Sequence, residues 1–164
     1  MFQFASKRAG LLGAFAVAAA VIAPSLAATP AMAGTCPADK MGVDVRKPDA
    51  SAAKDVTDTV LASLDVAKEP VQIEGRLFRM RRLVIQPGGV VPWHSHGDRP
   101  AVIYVESGEV TEFASTCSVP IVHKAGEATP EMHSTSHWWK NTGKVPAVLL
   151  SADLLPVKAD PHMM

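Results

Sequence analysis

The chain has 164 residues, and its 16 basic side chains balance its 16 acidic ones. That balance leaves no electrostatic surplus for gripping nucleic acid. The length suits one domain with one core, and part of the positive mean hydropathy of +0.13 comes from an apolar N-terminus.

That N-terminus opens with Lys7 and Arg8, continues as an alanine-rich apolar run from Leu11 to Ile22, and ends on Ala31-Met32-Ala33. The order is that of a secretory signal peptide, residues 1–33, removed after Ala33. A transmembrane anchor is the weaker reading, because the run is short and Pro24 interrupts it. A lipoprotein signal fits poorly, since no Leu stands three positions before Cys36. The expected destination is periplasmic or secreted, with no stable membrane anchor after cleavage. From Gly34 onward, 131 residues carry 14 basic and 16 acidic side chains, a net charge of −2.

Both cysteines, Cys36 and Cys117, lie beyond the cleavage point. An even count in an exported domain favours a disulfide. Closing so long a loop is worth about 4.5 kcal/mol at most in the chain-entropy model. Two free thiols, or Cys117 as a metal ligand, are the alternatives.

Residues 34–58 are polar and Pro-interrupted and read as an extended arm, with a weakly signalled short helix at Ala50–Val56. Thr59–Val66 is a first strand, and Gly75–Ile85 a stronger one. Gln86-Pro87-Gly88-Gly89 reads as a turn. Strands follow at Val90–His96, Ala101–Val105, Val110–Phe113, Pro120–His123, Thr129–His133, His137–Trp139 and Val145–Leu155. Short strands separated by frequent turns predict an all-β barrel or sandwich over residues 59–156, with a tail at 157–164.

His94 and His96 are two residues apart in an extended segment. Alternate strand residues share a face, so their Cα atoms should lie about 6.6 Å apart, close enough for two imidazoles to reach one ion. By the same alternation Trp93 and Trp138 point outward, while Trp139 shares the inward face and walls the pocket. Tyr104 is a candidate for a hydroxyl near the metal. Arg79, Arg81 and Arg99 are candidates for a substrate carboxylate, set against the plainer reading of solvated strand faces and turns. His123, next to Lys124, reads as a surface residue without a role, and His162 as part of the tail. No phosphate-binding loop and no G-x-S-x-G elbow is present.

Two spaced patterns give the chain its resemblance to the cupin superfamily. In G-x5-H-x-H-x(3,4)-E-x6-G, Gly88, His94, His96 and Gly108 fall in register, and Ala101 stands at the position of the Glu. In G-x5-P-x-G-x2-H-x3-N, Gly126, His137 and Asn141 match, with Met132 and Ser134 at the Pro and Gly positions. The resemblance implies a double-stranded β-helix, or jelly roll, holding one divalent transition metal. His94, His96 and His137 carry over as ligands, and Asn141 as a pocket residue. With no donor atom at Ala101, the ligand set is three neutral imidazoles, as in some thiol, gentisate-type and diketone-cleaving dioxygenases of the superfamily. His133 is the first candidate for an extra ligand, ahead of Glu131 and Asp98. Imidazole ligation points to Fe(II) first, with Ni, Cu, Zn or Mn as alternatives.

Two functions follow as expectations. One is an exported oxidoreductase, an Fe(II)-dependent dioxygenase acting on a small organic anion. The other is a non-catalytic periplasmic module that binds or senses a metal or a small-molecule ligand. A homodimer is compatible with either.

Overall fold

Residues 34–49 and 52–158 are described by a computed structural model. The expected signal peptide at 1–33 and the tail end at 159–164 lie outside the described residues. The described residues form eight strands: β1 (Lys54–Asp65), β2 (Arg76–Ser95), β3 (Ala101–Ser107), β4 (Glu109–Ala114), β5 (Ile121–Lys124), β6 (Ala128–Glu131), β7 (Ser136–Lys140) and β8 (Ala147–Pro156). All pairings are antiparallel. Seven strands run in the order β5-β4-β7-β2-β8-β3-β6, and β1 adds to β2. The sheet curls into a nearly closed barrel, the expected jelly roll. No described helix is long and apolar enough to cross a membrane.

β2 departs from expectation, because the turn at Gln86–Gly89 does not form. The strand bends there and changes partners instead. Arg76–Ile85 pair with β8 on one edge, and Val90–Ser95 pair with β7 on the other. Gly88 takes a positive φ of 79°. Its N–H donates to the Asn141 carbonyl, and the Asn141 N–H donates to that of Gly89. Paired turn-type residues thus act as a corner at which one strand bends and exchanges partners within the curled sheet. β1 begins at Lys54, so residues 54–56 are strand rather than the end of a short helix; residues 50 and 51 lie outside the described residues.

Alternation along the strands builds the core. Leu83, Ile85, Val91, Ile103, Val105, Val110, Trp139 and Leu149 meet inside the barrel. Each large aliphatic among them contributes about 1.5–3 kcal/mol of burial free energy. Cys36 and Cys117 form a disulfide. The arm it anchors runs along the loop after β4: Gly42 N–H donates to Thr116 O, Val45 N–H to Ser115 O, and Ser118 N–H to Lys40 O. Arg46, from the same arm, lies over the Phe113 ring, which stacks on Trp138.

Candidate metal centre

The bend in β2 brings His94 opposite His137 of β7, as direct cross-strand partners. His96 follows at the strand end, its N–H donating to Thr135 O. The three Nε2 atoms form an equilateral triangle with edges of 3.1 Å. Each opposite nitrogen faces an acceptor. His94 Nδ1–H donates to Pro92 O at 2.9 Å, His96 Nδ1–H to Arg99 O at 2.8 Å, and His137 Nδ1–H to Glu112 Oε1 at 2.6 Å. Carbonyl and carboxylate oxygens only accept, so the proton of each neutral ring sits on Nδ1. Every Nε2 therefore turns a lone pair toward the same point.

Protons do not readily relieve that convergence. Burial, then the charge of His137, pushes His94 down to about 2, and the same two causes push His96 down to about 4. A metal ion does relieve it. Metal–nitrogen bonds of about 2.1 Å at near right angles put neighbouring nitrogens about 3.0 Å apart, so the residues present fit a facially bound divalent ion. The three histidines form a donor group by themselves, while a second group consists of Glu112, Glu131 and His137.

Glu112 and His123 escaped sequence reasoning. His123, expected at the surface, is buried, because it alternates with exposed Val122 and Lys124 and shares the inward face of β5. Its Nε2 lies 2.9 Å from Glu112 Oε2, so one carboxylate holds two imidazoles. Burial works to raise the Glu112 pKa, but the hydrogen bonds to His123 and His137 outweigh it and bring it to about 2. An ionised Glu112 behind His137 orients the ring and makes Nε2 a better donor to a cation.

The expected extra ligand does not join the triad. β6 ends at Glu131, so His133 lies in the following loop, exposed, beside an outer groove that also borders Arg76 and Asp98. Asp98 is exposed and paired with Arg76. Glu131 is buried, but its Oε2 lies 3.6 Å from His137 Nδ1, the side of the ring facing away from the triangle. Burial and the charge of Glu112 push its pKa up to about 10.

A small cavity of about 20 Å³ opens beside the triangle, and by that measure it holds little more than one ordered water. Leu83, Val91, Ile103, Leu149 and Trp139 wall it, and Arg81 and Ser151 supply its polar side. Trp139 is where alternation put it. Its indole N–H also points at the edge of His137, 3.0 Å from Nδ1 and 3.2 Å from Nε2; with Nδ1 protonated, Nε2 carries the one lone pair this ring has to offer. The other two pocket expectations fare differently. Tyr104 is 42% exposed on the outer face of β3, between buried Ile103 and Val105. Asn141 is buried as a strut: Nδ2 donates to Ile85 O and Val145 O, and Oδ1 accepts from Gly143 N–H.

The family model described as "Cupin domain" matches residues 81–153, which include the three histidines. A comparison with curated proteins finds no match. Among solved structures, the chain is similar to the cupin domain of Schizosaccharomyces pombe Cnp3, with 12% identity and a TM-score of 0.49 over 61% of this chain and 64% of that one. It is also similar to the cupin domain of an XRE-family transcriptional regulator from Enterobacter cloacae, with 13% identity and a TM-score of 0.49 over 63% of this chain and 99% of that one. An oxalate oxidase structure shares 24% identity and a TM-score of 0.48 over 71% of this chain and 63% of that one. The chain thus spans a little under two thirds of the first and third of these and nearly all of the second.

Proposed function

Since residues 81–153 match the family model of the cupin domain, we propose that the chain is an exported mononuclear metal protein, an oxidoreductase of the dioxygenase type that acts on a small organic anion. The observation that carries this reading is the triangle of Nε2 atoms, each with its Nδ1 hydrogen-bonded to a fixed acceptor. Fe(II) is the favoured ion, and when bound it would supply Lewis acidity and one-electron chemistry with dioxygen.

The chain's own residues do the rest. Three neutral imidazoles bind the ion without cancelling its charge, so an anionic substrate is attracted to it. Glu112, Pro92 O and Arg99 O hold the rings in the binding tautomer. Leu83, Val91, Ile103 and Leu149 keep bulk water away, which strengthens each electrostatic contact inside. The Cys36–Cys117 disulfide suits a non-reducing compartment.

The second reading, a non-catalytic binding module, draws on the tightness of the cavity. Elemental analysis of protein taken from its own compartment tests the metal centre: one ion per chain is expected, lost in His94→Ala and in His137→Ala. Anaerobic reconstitution with Fe(II), followed by oxygen uptake on adding small carboxylates, separates the two readings. Iron that never consumes oxygen with any carboxylate favours the module, and full metal content in the histidine variants removes the centre.

A further inference from the structure

Arg81 is the cation of this cavity. It sits on β2 among strand residues that alternate inward, pairs across the sheet with Ser151 of β8, and lines the same space as His94, His96 and His137. A guanidinium that is 4% exposed needs anionic partners. Arg81 has one full partner, Asp58 of β1, which receives Nη1. The other nearby carboxylate, Asp153, is engaged elsewhere. Arg79 reaches both of its oxygens, at 2.9 and 2.8 Å, and Arg99 Nη1 takes Oδ2 at 2.9 Å. Arg81 Nη2 is left 3.5 Å from it. The same Nη2 makes a long, 3.4 Å contact with Ser151 Oγ, and the buried Nε–H of Arg81 has no partner among the described residues.

Ser151 is fully buried, and its hydroxyl proton is not committed to Arg81, which can only donate. Under-used guanidinium N–H groups and a serine O–H therefore border a cavity whose remaining polar surface is the metal triad. Apart from the indole N–H of Trp139, everything else around it is apolar. Such a wall disfavours a neutral polar ligand and favours one whose charge both ends complement.

Resting on the metal-centre reading above, we infer that Arg81 and Ser151 form the anion-recognition subsite, and that the ligand class is a small monocarboxylate held between the ion and the Arg81 guanidinium. The cavity has room for little more than one ordered water, so only the smallest carboxylates can enter, and the apolar wall must yield to admit them. Discrimination lies in charge: an acid is taken and the amide of the same shape is refused, because the amide leaves the guanidinium without an anion.

Acetate and acetamide are the probes. Co(II)-loaded wild-type protein, Arg81→Lys, Arg81→Gln and Ser151→Ala are each titrated with both, read by calorimetry and the Co(II) visible spectrum, with metal content and unfolding temperature measured alongside. Wild type should bind acetate and not acetamide. At unchanged metal content, acetate should weaken about tenfold or more in Arg81→Lys and Arg81→Gln, and a few-fold in Ser151→Ala. Equal acetate affinity in wild type and Arg81→Lys, or wild type binding the two probes alike, overturns the subsite. If Arg81→Gln fails to fold for want of a partner for Asp58, Arg81→Lys and Ser151→Ala decide. If wild type takes up no Co(II), the metal reading falls separately. The same titration of the metal-free proteins then decides the subsite: acetate bound by wild type and lost in Arg81→Lys keeps it, and no acetate bound ends it.

Discussion

Glu112 stands 2.6 Å behind His137, on the ring nitrogen opposite the one that faces the other two histidines. A carboxylate in that place fixes the tautomer and sharpens the lone pair at Nε2, and partners of this kind are typically worth 10–100-fold in metal affinity. Glu112→Gln should therefore weaken metal binding by about that factor while leaving one site per chain. His123→Asn, which loosens Glu112 from its other side, should cost less. Competition with a chromophoric chelator measures both. An unchanged affinity in Glu112→Gln would show that the carboxylate serves the fold alone.

Trp139 bears on the same nitrogen from the cavity side. Its indole N–H lies 3.0 Å from Nδ1 and 3.2 Å from Nε2 of His137; with Nδ1 protonated it can donate only to Nε2, so indole and cation are alternatives at one lone pair. Trp139→Phe keeps most of the apolar wall and removes the N–H. Metal affinity should rise by about three- to tenfold, the worth of one modest hydrogen bond. A fall in affinity, with the unfolding temperature held, would mean that the indole supports the centre.

Much of this was open to sequence reasoning, and the boundary is physical. His94 and His96 declared themselves by their spacing on an extended segment. His137 needed a second pattern, because only the resemblance linked a residue 41 positions from His96 to the same ion. Glu112, His123 and Glu131 are each buried by strand alternation: Val110, Glu112 and Ala114 share a face of β4, and His123 alternates with Lys124. That signal was present, but charged residues in short strands are ordinarily at the surface. Their partners also lie on other strands, and no local spacing reveals them. His133 misled for the opposite reason, since β6 stops two residues before it and alternation no longer holds. The Pro87-Gly88-Gly89 corner had turn chemistry without a turn, because the pairing with β7 overrode it.

Asp153 sets an acid limit. Its carboxylate accepts from Arg79 and Arg99 inside the barrel, and although burial alone would raise its pKa, these hydrogen bonds and the charges of the arginines hold it below the usual value. A depressed folded-state pKa means that the unfolded chain takes up the proton first as pH falls. The stabilisation is therefore whole above the unfolded value, near pH 3.9, and drains away below it. Chemical denaturation between pH 6 and pH 2 should show stability falling steeply at the acid end. Asp153→Asn removes the carboxylate that Arg79 and Arg99 share inside the barrel and should cost about 3–5 kcal/mol already at neutral pH. A variant as stable as wild type at pH 7 would deny the cluster that role.

Gly34 offers a test of export that does not depend on metal. Its N–H lies 3.1 Å from Glu127 Oε2, and a Cβ built on it would fall 2.1 Å from the Val122 carbonyl oxygen. Cleavage after Ala33 would turn that N–H into an α-ammonium and the hydrogen bond into an ion pair, with a residue at the new terminus that no side chain can replace without displacing β5. Protein recovered from the periplasm or medium should therefore begin at Gly34 by N-terminal sequencing. It should carry no free thiol when denatured without reductant, because Cys36, two residues on, is bonded to Cys117. Gly34→Ala should lower stability by about 1–3 kcal/mol through the clash, and Glu127→Gln by up to about 1 kcal/mol, the worth of a half-exposed ion pair. An N-terminus found elsewhere, or two titratable thiols, would remove the export reading while leaving the three histidines where they are.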